Sequence, residues 1–474
     1  MTELHEYTAL ELHQLLQRRD VSPVELAEHF LGRIARLDGA IGAFATVTPE
    51  AAIARARHVE EHVPTAAPLW GMPLADKDLH RRAGVPARFG SRAFTDFVPD
   101  DSDELVRAVD AAGAVSLGKS ATPEFGLPSY TEGLAGPPTR NPWDPSLGAG
   151  GSSGGAAAAV ASGMLPFAPG SDGGGSIRIP AAACGLVGVK PSRGRVPAGS
   201  GLASLAGLGV AGPIARNVAD AALLLDGMIA PAGYPAAHRF ALRAPGDDGP
   251  YLGTAIRGEG RFQVGVMTDS PWDEAYEIAL DEDARSAFDR AITVFDGLGH
   301  GVEAMAPEPE PGYPAAFRTI WQAGAATIPV DGEAEAFLEP LTRWLLERGR
   351  AVPARRLAEA LEWLSGFEER VIRRFAPFDA VMTPALALTP PPVGWYDQQD
   401  GERNFAQQVQ FTPFTSFVNV AGLPAVTVPV EETRAGVPMG VQLIGRPGGE
   451  ATLFSLAAQL ERRVRRGHRH PPNW

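Results

Sequence analysis

Hydrophobic and polar residues in the first sixty residues alternate with the period of amphipathic helices. Thr8 precedes the apolar-periodic segment ALELHQLLQRR, where a residue that caps a helix is expected. The segment SPVE beginning at Ser22 is a capping box with proline at the first helical position, and TPE beginning at Thr48 repeats this start signal. We therefore predict that residues 1–65 form helices packed on the outside of a core.

Beyond residue 65, short apolar runs alternate with helical patterns. The segment LWGMPLADKD reads as a strand entering a turn, and AVSLG reads as a strand after a helix that Ser102 caps and Gly113 ends. Further strands are expected in RFQVGVM, FDAVMTPA, AVTVPV and MGVQLIG, with helices at 281–298 and 333–375. This alternation predicts an α/β fold for residues 66–474, one large domain whose central mixed β-sheet carries helices on both faces. Residues 231–260, rich in Pro and Gly, are expected to form an exposed excursion.

Composition narrows the class of protein. The 474 residues are 45% hydrophobic, which allows a sizeable core and argues against a disordered chain. A net charge of −14 argues against a nucleic-acid partner, because an acidic surface repels phosphates. We expect no membrane association, since no apolar run reaches the roughly 18 residues of a membrane span, and the N-terminus lacks a signal-peptide pattern. With Cys184 as the only cysteine, and a small buried residue by its context, we expect a cytoplasmic protein.

Three familiar motifs occur in the wrong context. Residues 113–120 match a phosphate loop, but a helix precedes the motif and the strand lies inside it. Residues 207–212 match a dinucleotide fingerprint without a leading strand, and residues 150–154 match a nucleophile elbow without one. Without zinc-type motifs either, we predict no metal site and no cofactor. The later histidines, none in the context of a catalytic loop, are His238, His300, His468 and His470.

One glycine run is a candidate for acyl-transfer chemistry. Gly173, Gly174 and Gly175 precede Ser176, and glycines permit the positive φ angles that let consecutive amides point together at a developing oxyanion. A plain glycine-rich turn is the alternative, and the residues alone do not separate the two.

Lys77 is the candidate base, because burial can lower a lysine pKa by several units. Asp76 and Asp78 flank it and would raise that pKa if their carboxylates turned toward it. A surface lysine in an ion pair is the alternative. Because a lysine has short reach, a second hydroxyl that relays the proton is chemically sensible, and GGSSGG supplies candidates.

Taken together, GMPLADKD, GGSSGG and GSDGGGSIRIPAAACGLVGVKP resemble the amidase signature family, which includes fatty acid amide hydrolase and the A subunit of glutamyl-tRNA amidotransferase. The spacing is similar too, with 75 residues from Lys77 to Ser152 and 24 from Ser152 to Ser176. Similarity extends over nearly the whole chain, including GPIARNVADAALLLDGM, FDAVMTPA, FTSFVNVAGLPAVTVPV and GVPMGVQLIGRP.

The resemblance implies a Ser–Ser–Lys triad. Ser176 would be the nucleophile that becomes acylated, Ser152 the relay serine after a cis peptide bond, and Lys77 the base in its neutral form. The backbone amides of Gly173, Gly174, Gly175 and Ser176 match the family's oxyanion hole. Gly173 departs from the pattern, because relatives often carry Thr, Ile or Ala there, and the loop is expected to be looser. The positions that match supporting residues are Ser153, Asp172 and Arg178.

The implied activity is hydrolysis of linear amides through an acyl-enzyme, with esters and carbamates as further candidate substrates. An amidotransferase subunit that releases ammonia for a partner is the alternative, but Ile179 stands where those subunits usually carry glutamine. An inactive binding protein is a third reading, opposed by the intact triad. We expect a monomer or homodimer acting on a small molecule, with a helical substrate-side region at 315–375. The predicted pocket residues are Gly126, Leu127, Tyr130, Ser171 and Ile179.

Overall fold

The computed structural model describes residues 2–196, 205–229, 250–466, 469–472 and 474. The strands are β1 Phe44–Val47, β2 Pro73–Lys77, β3 Val115–Ser120, β4 Phe167–Asp172, β5 Val187–Lys190, β6 Val210–Ala215, β7 Gln263–Val266, β8 Gly301–Ala304, β9 Ala380–Pro384, β10 Ala425–Glu432 and β11 Pro438–Gly445. The helices are α1 Ala9–Arg18, α2 Pro23–Ile41, α3 Pro49–His62, α4 Glu104–Ala111, α5 Gly154–Ala161, α6 Arg178–Ala183, α7 Val218–Ile229, α8 Tyr251–Arg257, α9 Glu282–Gly297, α10 Tyr313–Ala325, α11 Pro340–Arg350, α12 Ala354–Phe375, α13 Gly401–Phe411, α14 Ser416–Val420 and α15 Glu450–Val464.

The predicted mixed sheet is present, and it has eight strands in the order β4-β6-β5-β10-β11-β9-β7-β8. β7 runs parallel to β8 and β9, whereas the pairs from β4 to β11 are antiparallel. In addition to this sheet, β1, β3 and β2 form a separate three-stranded sheet that the sequence analysis did not predict. β2 packs against β4, so the C-terminal end of this small sheet approaches the edge of the large one.

Helix α5 is buried along its whole length and is built only from Gly, Ala and Val. Such small side chains allow close backbone approach: a Cβ atom on Gly155 would lie 2.3 Å from the amide nitrogen of Ala121 and 2.4 Å from the carbonyl oxygen of Ala43. The tight fit fixes the N-terminal end of α5, where the segment GGSSGG leads into the helix.

A second hydrophobic cluster lies under helices α10 and α12 and is rich in aromatic side chains, including Trp272, Tyr313, Phe317 and Phe367. The first and larger cluster lies under α7, α9 and α15 and consists mainly of Ala, Val and Leu. No helix among the described residues is long and apolar enough to cross a bilayer.

Two local expectations need correction. Asp103, not Ser102, occupies the N-cap position of α4, because the Ser102 hydroxyl instead accepts a hydrogen bond from the Ala83 amide at 3.0 Å. The end of the predicted exposed excursion is helix α8, whose Tyr251 and Ala255 are each 3% exposed because α8 packs between α7 and α15. Residues 231–249 of that excursion lie outside the described residues, as do His238 and His468.

The three motifs that the sequence analysis rejected lie in secondary structure that does not support their usual functions. In residues 113–120, strand β3 occupies the second half of the phosphate-loop pattern, and a short 3-10 turn at 124–126 follows it. The glycine pattern at 207–212 runs into β6 where a dinucleotide site needs a helix. The segment before residue 152 contains no strand, so the geometry of a nucleophile elbow is missing there.

Candidate active site

Lys77 ends strand β2 and is completely buried. Its Nζ donates to the Ser152 hydroxyl at 2.8 Å and to the Ser171 hydroxyl at 3.0 Å, with the Ser171 carbonyl oxygen at 3.4 Å. Burial lowers the pKa of Lys77 to about 7, although the charge of Asp172 opposes this shift. A large fraction of the amine is therefore neutral at physiological pH, with a serine hydroxyl in contact.

The aspartates on either side of Lys77 turn away from it. Asp76 accepts hydrogen bonds from Arg82 and from the Ser116 hydroxyl, and Asp78 pairs with the buried Lys119 at 3.1 Å. Successive side chains of a strand point to opposite faces, so both neighbours lie on the far side of β2. The flanking carboxylates consequently do not hold Lys77 in its charged form.

Ser152 and Ser153 lie in the turn that precedes α5, and both are buried. The peptide bond between Gly151 and Ser152 is cis. The Ser153 amide donates to the Ser176 carbonyl oxygen at 3.1 Å, which joins the two serine segments side by side. The Ser153 hydroxyl bonds to the backbone of Ser171 at 3.3 Å and so contacts neither Lys77 nor the pocket. Within the described chain, no hydrogen bond links the hydroxyls of Ser152 and Ser176.

Ser176 follows β4 through the glycine run and is 8% exposed, at the wall of a cavity. The Gly175 amide donates to Asp172 Oδ1 at 2.7 Å, and the Ile177 amide donates to Oδ2 at 3.2 Å. The Gly175 N–H, one of the four amides of the predicted oxyanion hole, therefore already has a carboxylate partner. In the described structure the amides of Gly173, Gly174 and Ser176 have no acceptor, and of these residues Gly174 and Ser176 line the cavity.

A buried ion pair fixes this loop. The Arg178 guanidinium makes two hydrogen bonds to the Asp172 carboxylate, at 3.0 and 2.9 Å, and both side chains are fully buried. Burial alone would raise the pKa of Asp172, but the Arg178 charge holds it well below the usual range. Arg178 also donates to Gln442 and Asn419, each at 2.6 Å, so three separate chain segments meet at one guanidinium.

Sequence reasoning missed Thr415, which caps α14, and Asn419, which lies within it. The Thr415 hydroxyl donates to the Gly174 carbonyl oxygen at 2.7 Å, and Asn419 Nδ2 donates to the Asp172 carbonyl oxygen at 2.9 Å. Both side chains belong to FTSFVNVAGLP, a segment that carries family resemblance but no motif with evident chemistry. Only the family resemblance indicated that this segment matters, and nothing in its composition predicted a contact with the glycine loop before Ser176.

A cavity lies beside Ser176. Its described lining is Leu127, Pro128, Ser129, Gly174, Ser176, Ile179, Trp272, Phe317, Trp321, Phe405, Gln408, Val409, Thr412 and Ser416. None of these side chains carries a charge. The polar Gln408 accepts from the Ser129 amide and donates to Asn404, and the Ser416 hydroxyl bonds to Trp272 and Tyr313. With these groups paired internally, the cavity presents mainly apolar and aromatic surface.

Of the predicted pocket residues, Leu127 and Ile179 line the cavity. Gly126 lies behind it, where an added Cβ would be 3.2 Å from the Ser152 hydroxyl. Ser171 contacts Lys77 instead of the cavity, because it sits on β4 opposite the end of β2. Tyr130 is 1% exposed and does not line the cavity, since its ring stacks on Tyr396 at 3.9 Å between centroids.

Among the described residues, Glu3, His5 and His29 form the one group whose ligand atoms lie close enough together to hold a metal ion, within 4.8 Å. His29 Nε2, however, accepts a hydrogen bond from the His5 backbone amide at 3.1 Å, so its lone pair is already engaged. Elsewhere, His300 stacks on Phe262, and His80 Nδ1 lies 3.8 Å from a carboxylate oxygen of Asp103.

Comparison with known proteins identifies the class. The Amidase family model matches residues 25–454. An inferred amidase of Mycobacterium tuberculosis is 37% identical over 94% of this chain and 94% of its own length. In a Geobacter species, the A subunit of glutamyl-tRNA(Gln) amidotransferase is 32% identical over 97% of this chain and 98% of its own. The solved structure of 6-aminohexanoate cyclic dimer hydrolase superposes with a TM-score of 0.90 over all of both chains at 28% identity.

The fold is a large mixed sheet covered by helices, and enzymes that cleave amides match it along the whole chain. These observations define the class as hydrolases of carbon–nitrogen bonds. The chain belongs to the amidase signature family, and it is an amidase.

Proposed function

We propose that this amidase cleaves uncharged amides through an acyl-enzyme on Ser176, with Ser152 as proton relay and Lys77 as base. The observation that carries the proposal is the 2.8 Å contact between the buried Lys77 amine, whose pKa is lowered to about 7, and the Ser152 hydroxyl. A base poised near the operating pH is the one that general-base catalysis favours.

In the first half-reaction, Ser176 Oγ attacks the carbonyl carbon and its proton passes to Ser152 as the Ser152 proton passes to neutral Lys77. The Ser176 hydroxyl must rotate toward Ser152 for this transfer. Backbone amides of the glycine loop stabilise the resulting oxyanion. The intermediate collapses as the carbon–nitrogen bond breaks, and the proton on Lys77 returns through Ser152 to the departing amine. Water then attacks the acyl-enzyme along the same proton route, which releases the acid and restores Ser176.

The substrate class follows from the cavity wall. Trp272, Phe317 and Trp321 supply aromatic surface, and none of the lining side chains offers a charge to pair with a charged group. Burying an unpaired charge there would be costly. We therefore propose neutral amides with an apolar or aromatic part, primarily linear ones, with esters and carbamates of the same shape as further substrates. Helix α10 supplies two of these rings, which supports placing residues 315–375 on the substrate side.

The amidotransferase alternative rests on the Geobacter relative. Ile179 lines the cavity at the position where those subunits usually carry glutamine. A site that recognises a glutamine side chain needs several unpaired polar groups. Of the lining side chains, Gln408 and Ser416 are already paired, and the Ser129 hydroxyl is without a partner among the described residues. We propose that the chain acts in the cytoplasm without a partner subunit or transfer RNA, as a monomer or homodimer. Ammonia release from glutamine that required a second protein would favour the alternative.

Activity-based labelling tests the nucleophile. A fluorophosphonate should label Ser176 in the intact protein, and Ser176→Ala should abolish both labelling and hydrolysis. Ser162→Ala is the matched control, because Ser162 is a buried serine at the end of α5 whose hydroxyl bonds only to its own helix. Mass spectrometry that found the label elsewhere, or unchanged hydrolysis by Ser176→Ala, would rule out this mechanism.

A substrate panel tests the specificity. Anilides and benzamides should be cleaved faster than acetamide or glutamine, and a carboxylate on the aromatic ring should reduce kcat/KM. A neutral cyclic amide belongs in the panel, because the 6-aminohexanoate cyclic dimer hydrolase is so similar in structure. Equal rates for charged and uncharged amides would contradict an apolar binding site.

A further inference from the structure

Thr415 contacts the nucleophile loop from a segment 241 residues away in the chain. Its hydroxyl donates to the Gly174 carbonyl oxygen at 2.7 Å, shorter than its 3.3 Å contact with the Thr412 carbonyl oxygen. At the other end of the same peptide unit, the Gly175 N–H donates to Asp172 at 2.7 Å. The peptide between Gly174 and Gly175 is therefore held at both its oxygen and its nitrogen.

We infer that Thr415 is a positioning residue: with Asp172 it clamps the Gly174–Gly175 peptide, so that the Gly174 and Ser176 amides, and not the Gly175 amide, receive the oxyanion. The inference rests on the proposed function, because it concerns the same acyl transfer. Gly174 and Ser176 both line the cavity and their amides have no acceptor in the described chain. The amide between them is turned into the protein, toward a carboxylate that would repel an oxyanion.

The clamp also accounts for glycine at position 175. Its φ is +135°, which side-chain-bearing residues rarely adopt, and an added Cβ would lie 2.4 Å from the Thr415 hydroxyl oxygen. Thr415 itself is fully buried, and its own carbonyl oxygen accepts from Arg178 at 3.0 Å. The guanidinium that pairs with Asp172 thus also holds Thr415, and both ends of the clamp share one anchor.

If Thr415 had a purely structural role, removing its hydroxyl would destabilise the bound substrate and the transition state equally. Because the clamp aims donors at the place where charge develops, its loss should reduce kcat and leave KM within about threefold. Thr415→Val keeps the shape and removes the hydroxyl, which leaves the Gly174 carbonyl without this donor. An unpaired buried group costs about 1–3 kcal/mol, which corresponds to a fall in kcat of about fivefold to 150-fold if the cost is expressed in the transition state.

The experiment compares the Val variant with Thr415→Ser, which restores the hydroxyl, and with Thr427→Val. Thr427 is a buried threonine on β10 whose hydroxyl also bonds to backbone, at Gly188, away from the nucleophile loop. For each variant we would measure kcat and KM on one anilide, affinity for a trifluoromethyl ketone that forms a tetrahedral adduct, and thermal unfolding.

We expect the Val variant to lose kcat and trifluoromethyl ketone affinity in parallel, the Ser variant to recover most of both, and the β10 control to keep wild-type values. Wild-type kcat in Thr415→Val would overturn the inference, as would a Ser variant as impaired as the Val variant. A change confined to KM would also overturn it. If Thr415→Val does not fold, kcat and trifluoromethyl ketone affinity of Thr415→Ser still test the inference. Failure of the proposed function would show differently, because the Ser176→Ala variant would then still hydrolyse the anilide.

Discussion

Replacing Lys77 with methionine should stabilise the protein at neutral pH while removing its activity. The lysine is fully buried and its pKa is lowered to about 7 because burial disfavours the ammonium. In the unfolded chain the group returns to its ordinary value of 10.5. Between these two values the unfolded state binds more protons than the native state, so native stability rises with pH across that window. The stability gained by deprotonating Lys77 is complete above pH 10.5 and is lost as the pH falls to about 7.

The size of the effect follows from the pKa difference. A change from 10.5 to about 7 corresponds to roughly 5 kcal/mol over the whole window, at 1.36 kcal/mol for each pH unit. About 2 kcal/mol of it is recovered between pH 7 and pH 9. Lys77→Met removes this dependence. Its gain in unfolding free energy over wild type should therefore be about 2 kcal/mol larger at pH 7 than at pH 9, whatever the packing of the new side chain.

Urea unfolding at pH 7, 8 and 9 measures the difference, with hydrolysis of an anilide assayed alongside. Lys190→Met is the matched control. Lys190 is also fully buried, its pKa is likewise lowered to about 7 by burial, and it donates to the Pro191 carbonyl oxygen instead of a reacting group. It should show the same pH trend in stability and remain active. A stability difference between Lys77→Met and wild type that stays constant from pH 7 to 9 would refute a lowered pKa for Lys77.

Three further outcomes are expected. The acid limb of the pH profile of kcat/KM should lie near pH 7, since the base must be neutral. Ser171→Ala should move this limb to lower pH, because the ammonium of Lys77 loses a hydrogen-bond acceptor at 3.0 Å. A limb at the same pH in the variant would contradict a role for that contact. Trp321→Ala should raise KM for anilides several-fold more than for acetamide, as steady-state kinetics on both can show. Arg178→Met should lower the unfolding free energy by about 3–5 kcal/mol, measured by denaturant titration, because it leaves the Asp172 carboxylate buried without its partner.

The alternation of strand and helix patterns was enough to predict a large mixed sheet, because the strands β7, β9, β10 and β11 carry mainly apolar runs. The separate small sheet was not predictable from such runs. The strands holding Lys77 and Lys119 read like any others, and sheet membership depends on pairing between segments far apart in sequence.

The candidate site divides in the same way. The glycine run, the serine pair and the lysine each stood out locally, and family resemblance supplied their grouping. Which amide of the run faces the cavity was not predictable, because it depends on Asp172 and on Thr415, 241 residues away. The orientation of a single peptide is a tertiary property, and four consecutive N–H groups look equivalent in a sequence.

One signal for Lys77 was present in the composition. Lysine and arginine together number 42, yet only Lys77, Lys119 and Lys190 are lysines, and all three are fully buried. The cations on the described surface are therefore arginines, whose charge is permanent. Arginine serves wherever a fixed charge is needed, as at position 178, whereas lysine is the side chain that can lose its proton on burial. In a chain that otherwise uses arginine, a lysine is a candidate for a buried position before any motif is recognised. Of the three, Lys119 has a carboxylate partner at 3.1 Å and Lys190 donates to a backbone carbonyl oxygen, while Lys77 meets a serine hydroxyl. That contact supports the proposed role of Lys77 as the base.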